Sequence, residues 1–272
     1  MCSRCPEPAL AALLLVAAAA AHGAEAPPLR VCADPDNLPY SQRDGSGFEN
    51  RIARLVAEDM HRPLAYFWQE QRRGFVRKTL GAGECDVLIG VPDAFDKVLR
   101  TRPYYRSTYV AVSRGGEPPF AGFAPDQLRG RRFGVQLIGN DLAASPPGHA
   151  LAAHGATANV TGFLVYGDGP AARRMVDAVA GKAIDVAFVW GPQAGYFVRH
   201  ASVPLAVVPV AAPAGLPAPF DYAIAMGVRK GDTALRDQLD EVLVRRRADI
   251  DAILADYAVP RVDAAPAREG TP

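Results

Sequence analysis

Leu29-Arg-Val-Cys-Ala-Asp34 is a short β-rich run that empties into Asp34-Pro-Asp-Asn-Leu-Pro39, where two prolines force an irregular loop. From there Phe48, Ile52, Leu55, Val56 and Met60 recur at helical spacing, and Glu49 suits the first turn of such a helix. Pro63 ends that helix, and Leu64 to Trp68 reads as a second strand. Gly74 to Leu80 predicts a short helix with Phe75, Val76 and Leu80 inward, closed by Gly81-Ala-Gly83. Asp86 to Val91 is the third strand. Strands alternating with helices in this way imply a parallel sheet with right-handed crossovers.

Tyr109-Val-Ala-Val-Ser113 reads as a fourth strand, after which Gly115-Gly-Glu-Pro-Pro119 breaks the pattern and marks a boundary. A second α/β block follows, with strands expected at Arg132 to Leu137, Val160 to Val165, Asp185 to Trp190 and Leu205 to Val210. Helices begin at Pro170 and at Gly191-Pro192, where proline suits a first turn. Ala211 to Pro219 forms a second irregular crossing, and Phe220 to Val228 returns to β character. Asp232 can cap a last helix whose apolar stripe runs from Leu235 to Tyr257. The expected architecture is α/β: one lobe of residues 29–114 plus 220–260, a second of 118–210, two crossover segments around a cleft, and a mobile tail at 261–272. Ligands of such sheets sit beyond the carboxyl ends of the strands, here Asp34 to Tyr40, Gly90 to Asp93, Leu137 to Asp141 and Trp190-Gly-Pro192.

The 272 residues are 49% hydrophobic and 22% charged, ordinary for a chain with well-buried cores. Arg4, an apolar stretch from Ala9 to Ala21, and small residues around Ala21-His-Gly-Ala24 have the order of a secretory leader, read as residues 1–24. That stretch is too short for a comfortable membrane span, so an exported, periplasmic protein without membrane insertion is expected. The 30 Lys and Arg against 29 Asp and Glu leave +1, which gives no electrostatic footprint for nucleic acid. Cys2 and Cys5 leave with the leader, and an oxidising compartment favours pairing the remaining Cys32 and Cys85; the alternative is two buried thiols.

Arg30-Val-Cys-Ala-Asp-Pro-Asp-Asn-Leu-Pro-Tyr40, Gly47-Phe-Glu-Asn-Arg51, Gln71-Arg-Arg-Gly-Phe-Val76, Cys85-Asp-Val-Leu-Ile-Gly-Val-Pro92, Thr101-Arg-Pro-Tyr-Tyr-Arg-Ser-Thr-Tyr109 and Trp190-Gly-Pro-Gln-Ala-Gly-Tyr196 span most of the mature chain. In these blocks it resembles type II periplasmic binding proteins, and within them the quinoprotein-dehydrogenase-associated solute-binding-like proteins of methanol oxidation, the MxaJ/XoxJ type. The resemblance implies a periplasmic partner of a pyrroloquinoline-quinone (PQQ)-dependent alcohol dehydrogenase, with its cytochrome c as a second candidate partner, acting in maturation or activation. One departure concerns the ligand. Amino-acid-binding members of the wider superfamily place an arginine about nine residues before the Pro-Tyr of the fourth strand, and here Ala94 stands in that region. Arg72, Arg73, Arg102 or Arg106 could substitute from another direction.

The candidate cleft set for a ligand or partner is Asp36, Asn37, Tyr40, Glu49, Arg72, Arg73, Gly90, Tyr104, Arg106 and Trp190. Several have a plainer reading. Arg72 and Arg73 could be a solvated helix start, Asp34, Asp36 and Asn37 could merely satisfy backbone groups, and Tyr104, Tyr105 and Tyr109 must divide between cleft and core. Asn140 and Asp141 read as helix caps. His61, His149, His154 and His200 lack metal-ligand spacing, so no metal, cofactor or catalytic residue is expected. Two other functions remain open: a carrier for importing a small polar or anionic solute, and an enzyme using Glu49 as acid or base.

Overall fold

The computed structural model describes residues 26–138, 143–165 and 167–262. The expected leader, Asn140, Asp141 and residues 263–272 of the tail lie outside them. The first lobe runs through β1 (Leu29–Ala33), β2 (Asp36–Asn37), β3 (Ser41–Gln42), α1 (Phe48–Asp59), β4 (Leu64–Trp68), α2 (Phe75–Lys78), β5 (Val87–Pro92) and β6 (Leu99–Arg100) to β7 (Tyr105–Arg114). The second holds α3 (Pro125–Leu128), β8 (Phe133–Ile138), β9 (Ala143–Ala144), α4 (Pro146–Ala153), β10 (Val160–Leu164), α5 (Ala171–Ala180), β11 (Val186–Trp190), α6 (Gly191–Arg199) and β12 (Leu205–Pro209). The chain then returns as β13 (Asp221–Val228), α7 (Thr233–Arg245) and α8 (Arg247–Asp256). Strand order is β10-β8-β11-β7-β13-β5-β1-β4.

As the alternation of elements requires, β4, β1 and β5 are parallel, with Leu29 opposite Leu64 and Val31 opposite Val87. β8 lies parallel between β10 and β11 in the second lobe. The same ionic clamp starts both sheets. Asp86, ahead of β5, accepts the backbone N–H of Arg30 at 3.1 Å and its guanidinium at 3.2 and 2.7 Å. Asp185, ahead of β11, accepts the N–H of Arg132 at 2.8 Å and its guanidinium at 3.2 and 2.8 Å. Bidentate guanidinium contacts of this kind fix strand register as well as adding energy. Both carboxyls are held below the usual carboxylate range, Asp185 chiefly by its bonds to Arg132, and Asp86 by Arg30 and Arg229 against an opposing desolvation cost.

Helix α1 lays Phe48, Ile52, Ala53 and Val56 on the first sheet, where Tyr104, Met226, Leu239 and Ile250 complete a core. Its N-terminus is closed by Asn50, whose Oδ1 accepts the N–H of Gly47 at 3.2 Å and of Gln42 at 2.8 Å. On the other face of that sheet Cys32 is bonded to Cys85, with Cα atoms 5.4 Å apart, among Phe75, Leu80 and Leu88. The second sheet has a phenylalanine-rich layer on one side, around Phe120, Phe133 and Phe188, and an aliphatic layer of Val112, Met175, Val179 and Ile184 on the other.

Three expectations shift. Residues 109–114, read as part of the first lobe, pair with β11 and β12 of the second sheet, while residues 105–108 pair with β13 of the first. The first crossing is thus a continuous strand, which carries no break signal; Gly115 to Pro119 is only its exit turn. The last helix is two helices, broken at Arg246, and Arg245 and Arg246 at the break pair with Asp59 at the end of α1, at 2.6 and 3.8 Å. The first tail residues are pinned. Val262 donates its N–H to Arg106 at 3.1 Å, Arg261 pairs with Asp251 at 2.6 Å, and Ser107 Oγ donates to the Pro260 carbonyl at 2.6 Å. Just before them Tyr257 sits with its ring 5.8 Å from Phe48 of the first lobe and 5.9 Å from Tyr196 of the second. A Cβ on Gly195 would lie 1.9 Å from the Ala258 carbonyl, so α6 approaches this segment as only glycine permits.

The Cys32–Cys85 bond spans 53 residues. Its loss in a Cys32→Ser, Cys85→Ser variant is expected to lower unfolding free energy by about 4 kcal/mol, seen as a lower urea midpoint, with a steeper slope as the unfolded chain expands. An unchanged midpoint would count against the bond as a stabilising element.

Candidate functional site

Between the lobes, beyond the carboxyl ends of β1, β5 and β11, lies a cleft of about 780 Å³. The loop after β1 forms one rim. Asp34 is engaged by the backbone, accepting the N–H of Asp36 at 2.9 Å and of Gln71 at 2.6 Å, and Asn37 donates its side-chain amide to Gln71 at 3.0 Å. Tyr40 follows, packed on Phe48 with ring centroids 5.3 Å apart.

The floor is aromatic. On β7, period-two alternation aims Tyr105 and Tyr109 into the cleft. Trp190, at the end of β11, stands edge-on 5.4 Å from Tyr109 and 5.7 Å from Tyr222 of β13. Burial pushes the Tyr40, Tyr105 and Tyr109 phenols well above their ordinary range, so they serve as neutral polar tips on apolar rings. The second lobe adds Gln136 from β8 and Gln193 from the first turn of α6.

Glu49 is the chemically distinctive group. Its place in the first turn of α1 aims the carboxyl at Gly90 on β5, where a Cβ would come within 2.1 Å of Oε1. Among the described residues no hydrogen bond or ion pair reaches this carboxyl, and burial raises it to about 7. Among the described residues, Asp34, Asp36, Glu49 and Glu70 line the cleft against one cation, Arg72, which sits 2.5 Å from Glu70. Such a wall repels carboxylates.

Of the residues singled out from sequence, the structure brings Asp36, Asn37, Tyr40, Glu49, Arg72, Gly90 and Trp190 to the cleft. Tyr104 is placed elsewhere: it is 1% exposed, its ring packs edge-on 5.0 Å from that of Tyr105 in the core of the first lobe, and its hydroxyl donates to the Ile89 carbonyl at 3.0 Å. Arg106 is engaged by Asp221 in a close ion pair, Arg102 by Asp240 through its N–H at 2.6 Å, and Arg73 is exposed away from the cleft wall. None of the three supplies the guanidinium that a ligand carboxylate needs. Tyr222, Gln136 and Gln193 went unremarked in the sequence. The signal for Gln193 was its place directly after Trp190-Gly-Pro192; Tyr222 showed only as an alternating partner of Ile224.

The model of the bacterial extracellular solute-binding proteins, family 3, matches residues 29–259. The chain belongs to that family. This solute-binding protein is 34% identical over 261 residues to Protein MoxJ of Methylorubrum extorquens, covering 89% of this chain and 84% of that one. To Protein MoxJ of Paracoccus denitrificans it is 31% identical over 251 residues, covering 85% and 88%. Its fold matches the crystal structure of the periplasmic binding protein XoxJ from Methylobacterium extorquens AM1 with a TM-score of 0.72 at 36% identity, over 87% of this chain and all of that one. The two-lobed binding-protein fold expected from the strand grammar is the fold observed. Among the described residues no helix is long and apolar enough to cross a membrane, and no cluster of His, Cys, Asp and Glu is arranged to hold a metal.

Glu49 sets a pH dependence. Its folded pKa of about 7 lies above the ordinary 4.5, so the native state holds a proton that the unfolded chain releases between those values. Stability is therefore lost as pH rises through that window. Glu49→Gln removes the effect, and the variant is expected to match wild type near pH 4.5 and exceed it above pH 7 by up to about 3 kcal/mol. Thermal unfolding at pH 5 and pH 8 measures this; the same difference at both would refute the assignment.

Proposed function

We propose that the protein is a periplasmic solute-binding-like accessory of a PQQ-dependent methanol or alcohol dehydrogenase, binding the dehydrogenase and assisting its maturation or activation. The observation that carries this reading is the cleft's charge. A family built to capture solutes here presents, among the described residues, four carboxylates and a single paired guanidinium, with no anchor for an amino-acid carboxylate. The resemblance of its sequence blocks to the MxaJ/XoxJ type supports the partner, and likeness to the MoxJ and XoxJ proteins over most of the chain agrees. The cytochrome c that accepts the dehydrogenase's electrons is the second candidate partner.

Periplasm from cells grown on methanol, passed over the immobilised protein, is expected to yield the dehydrogenase as the main retained species. A deletion strain is expected to accumulate dehydrogenase polypeptide of low specific activity that recovers on complementation. No captured dehydrogenase together with unimpaired alcohol oxidation in the deletion strain would dismiss the reading.

A further inference from the structure

We propose that the cleft is a binding site for an organic ammonium ion, with the Glu49 carboxylate as its counter-charge and the rings of Tyr105, Tyr109, Trp190 and Tyr222 as its wall. The inference rests on the solute-binding reading of the cleft and is independent of the dehydrogenase partnership.

Three observations converge. The first is the carboxyl itself: Glu49 lies in a desolvated seat against Gly90, and no described side chain neutralises it. A buried carboxyl in that position either holds a proton or takes an external positive group. The second is the aromatic floor. Trp190 bridges Tyr109 and Tyr222 at 5.4 and 5.7 Å, both edge-on, and these three rings line the cavity together with Tyr105. Cations, and alkylammonium groups above all, are drawn to the faces of aromatic rings by the ring quadrupole. The third is the overall balance, with Asp34, Asp36 and Glu70 on the rim and Arg72 held by Glu70 at 2.5 Å. A cavity of about 780 Å³ suits a whole small organic molecule, so the ammonium group should carry an apolar body that spreads over the rings.

The groups facing Glu49 bear on its titration. Tyr40 comes from the turn before α1, Tyr66 from β4, Tyr104 from the residue before β7 and Tyr105 from its start. All four phenols are pushed upward by burial and further by the Glu49 charge, so they keep their protons; Arg54 acts on Tyr66 in the opposite direction. Asp34, Asp36, Glu70 and Arg72 complete the charged surroundings. A bound cation favours the ionised carboxyl, so binding expels a proton below pH 7 and weakens as pH falls.

Calorimetry on the mature full-length protein with three probes of equal chain length decides the matter: n-hexylammonium, n-hexanol and n-hexanoate. Hexylammonium is expected to bind one to one and at least tenfold more tightly than hexanol, with hexanoate failing to saturate. Its affinity should fall by up to about fiftyfold between pH 7 and pH 5, with a heat that depends on the buffer's ionisation enthalpy. Glu49→Gln should lose at least tenfold and flatten the pH profile; the wild-type profile and proton release stand even if that variant folds poorly. Binding of Nα-acetyl-lysine N-methylamide as tight as hexylammonium would assign the cation to a polypeptide side chain, and weaker binding to a free amine. Equal affinity for hexanol or hexanoate, a flat pH profile, or no binding of hexylammonium would each overturn the proposal. Capture of the dehydrogenase by the wild-type protein, scored separately from the calorimetry, separates this failure from failure of the partnership.

Discussion

One strand is shared by two sheets. The first four residues of β7 are bonded to β13 and the rest to β11 and β12, so the lobes meet along a continuous run of backbone hydrogen bonds. An extended backbone repeats every two residues, and this fixes which side chains stand at the meeting line. Tyr105 and Tyr109 face the gap, Tyr104 faces the core, and Ser107 holds the C-terminal segment. The cleft floor follows from that phase. Glu49 reaches the same space from above because α1 must set Phe48 and Ile52 onto the sheet, which turns the next position toward Gly90.

The lobes repeat one device. Arg30 with Asp86 and Arg132 with Asp185 each join the first strand of a sheet to the strand inserted beside it, about fifty residues later in sequence. Because β4 and β10 fill in on the outside, each clamp fixes the neighbour relation on which the crossover geometry depends. In the first lobe Arg229 adds a second guanidinium to Asp86 at 3.2 Å, tying the returning strand β13 into the same corner. The disulfide lies one residue from that corner, so a covalent and an ionic restraint act on the same β1–β5 edge.

Much of this was legible in the chain because strands here are short, apolar and separated by proline and glycine, so that element identity is a local property. The β1 and β5 runs, the first turn of α1 and the loop at Asp34 to Tyr40 could be read that way, and the strand ends pointed to the right region. What could not be read depended on partners distant in sequence. Whether Tyr104 or Tyr105 faces the gap is set by the register of β13, and Arg106 is taken up by Asp221, 115 residues away. The crossing at Thr108 to Tyr109 left no mark because an unbroken strand has no boundary residue. The split at Arg246 left no mark either, since no proline or glycine stands there.

The close of the chain has a mechanical consequence. Tyr257 is held between Phe48 and Tyr196, Arg199 donates to the Asp256 carbonyl, and Val262 is bonded to Arg106. Two passages of backbone alone would let one half swing about the other. This third attachment resists rotation, so opening the gap wide must first strip the C-terminal strap from α6. A tether of this kind lowers the free energy of reorganisation that any closure between the lobes would cost, and leaves discrimination to the lining rather than to the amplitude of movement.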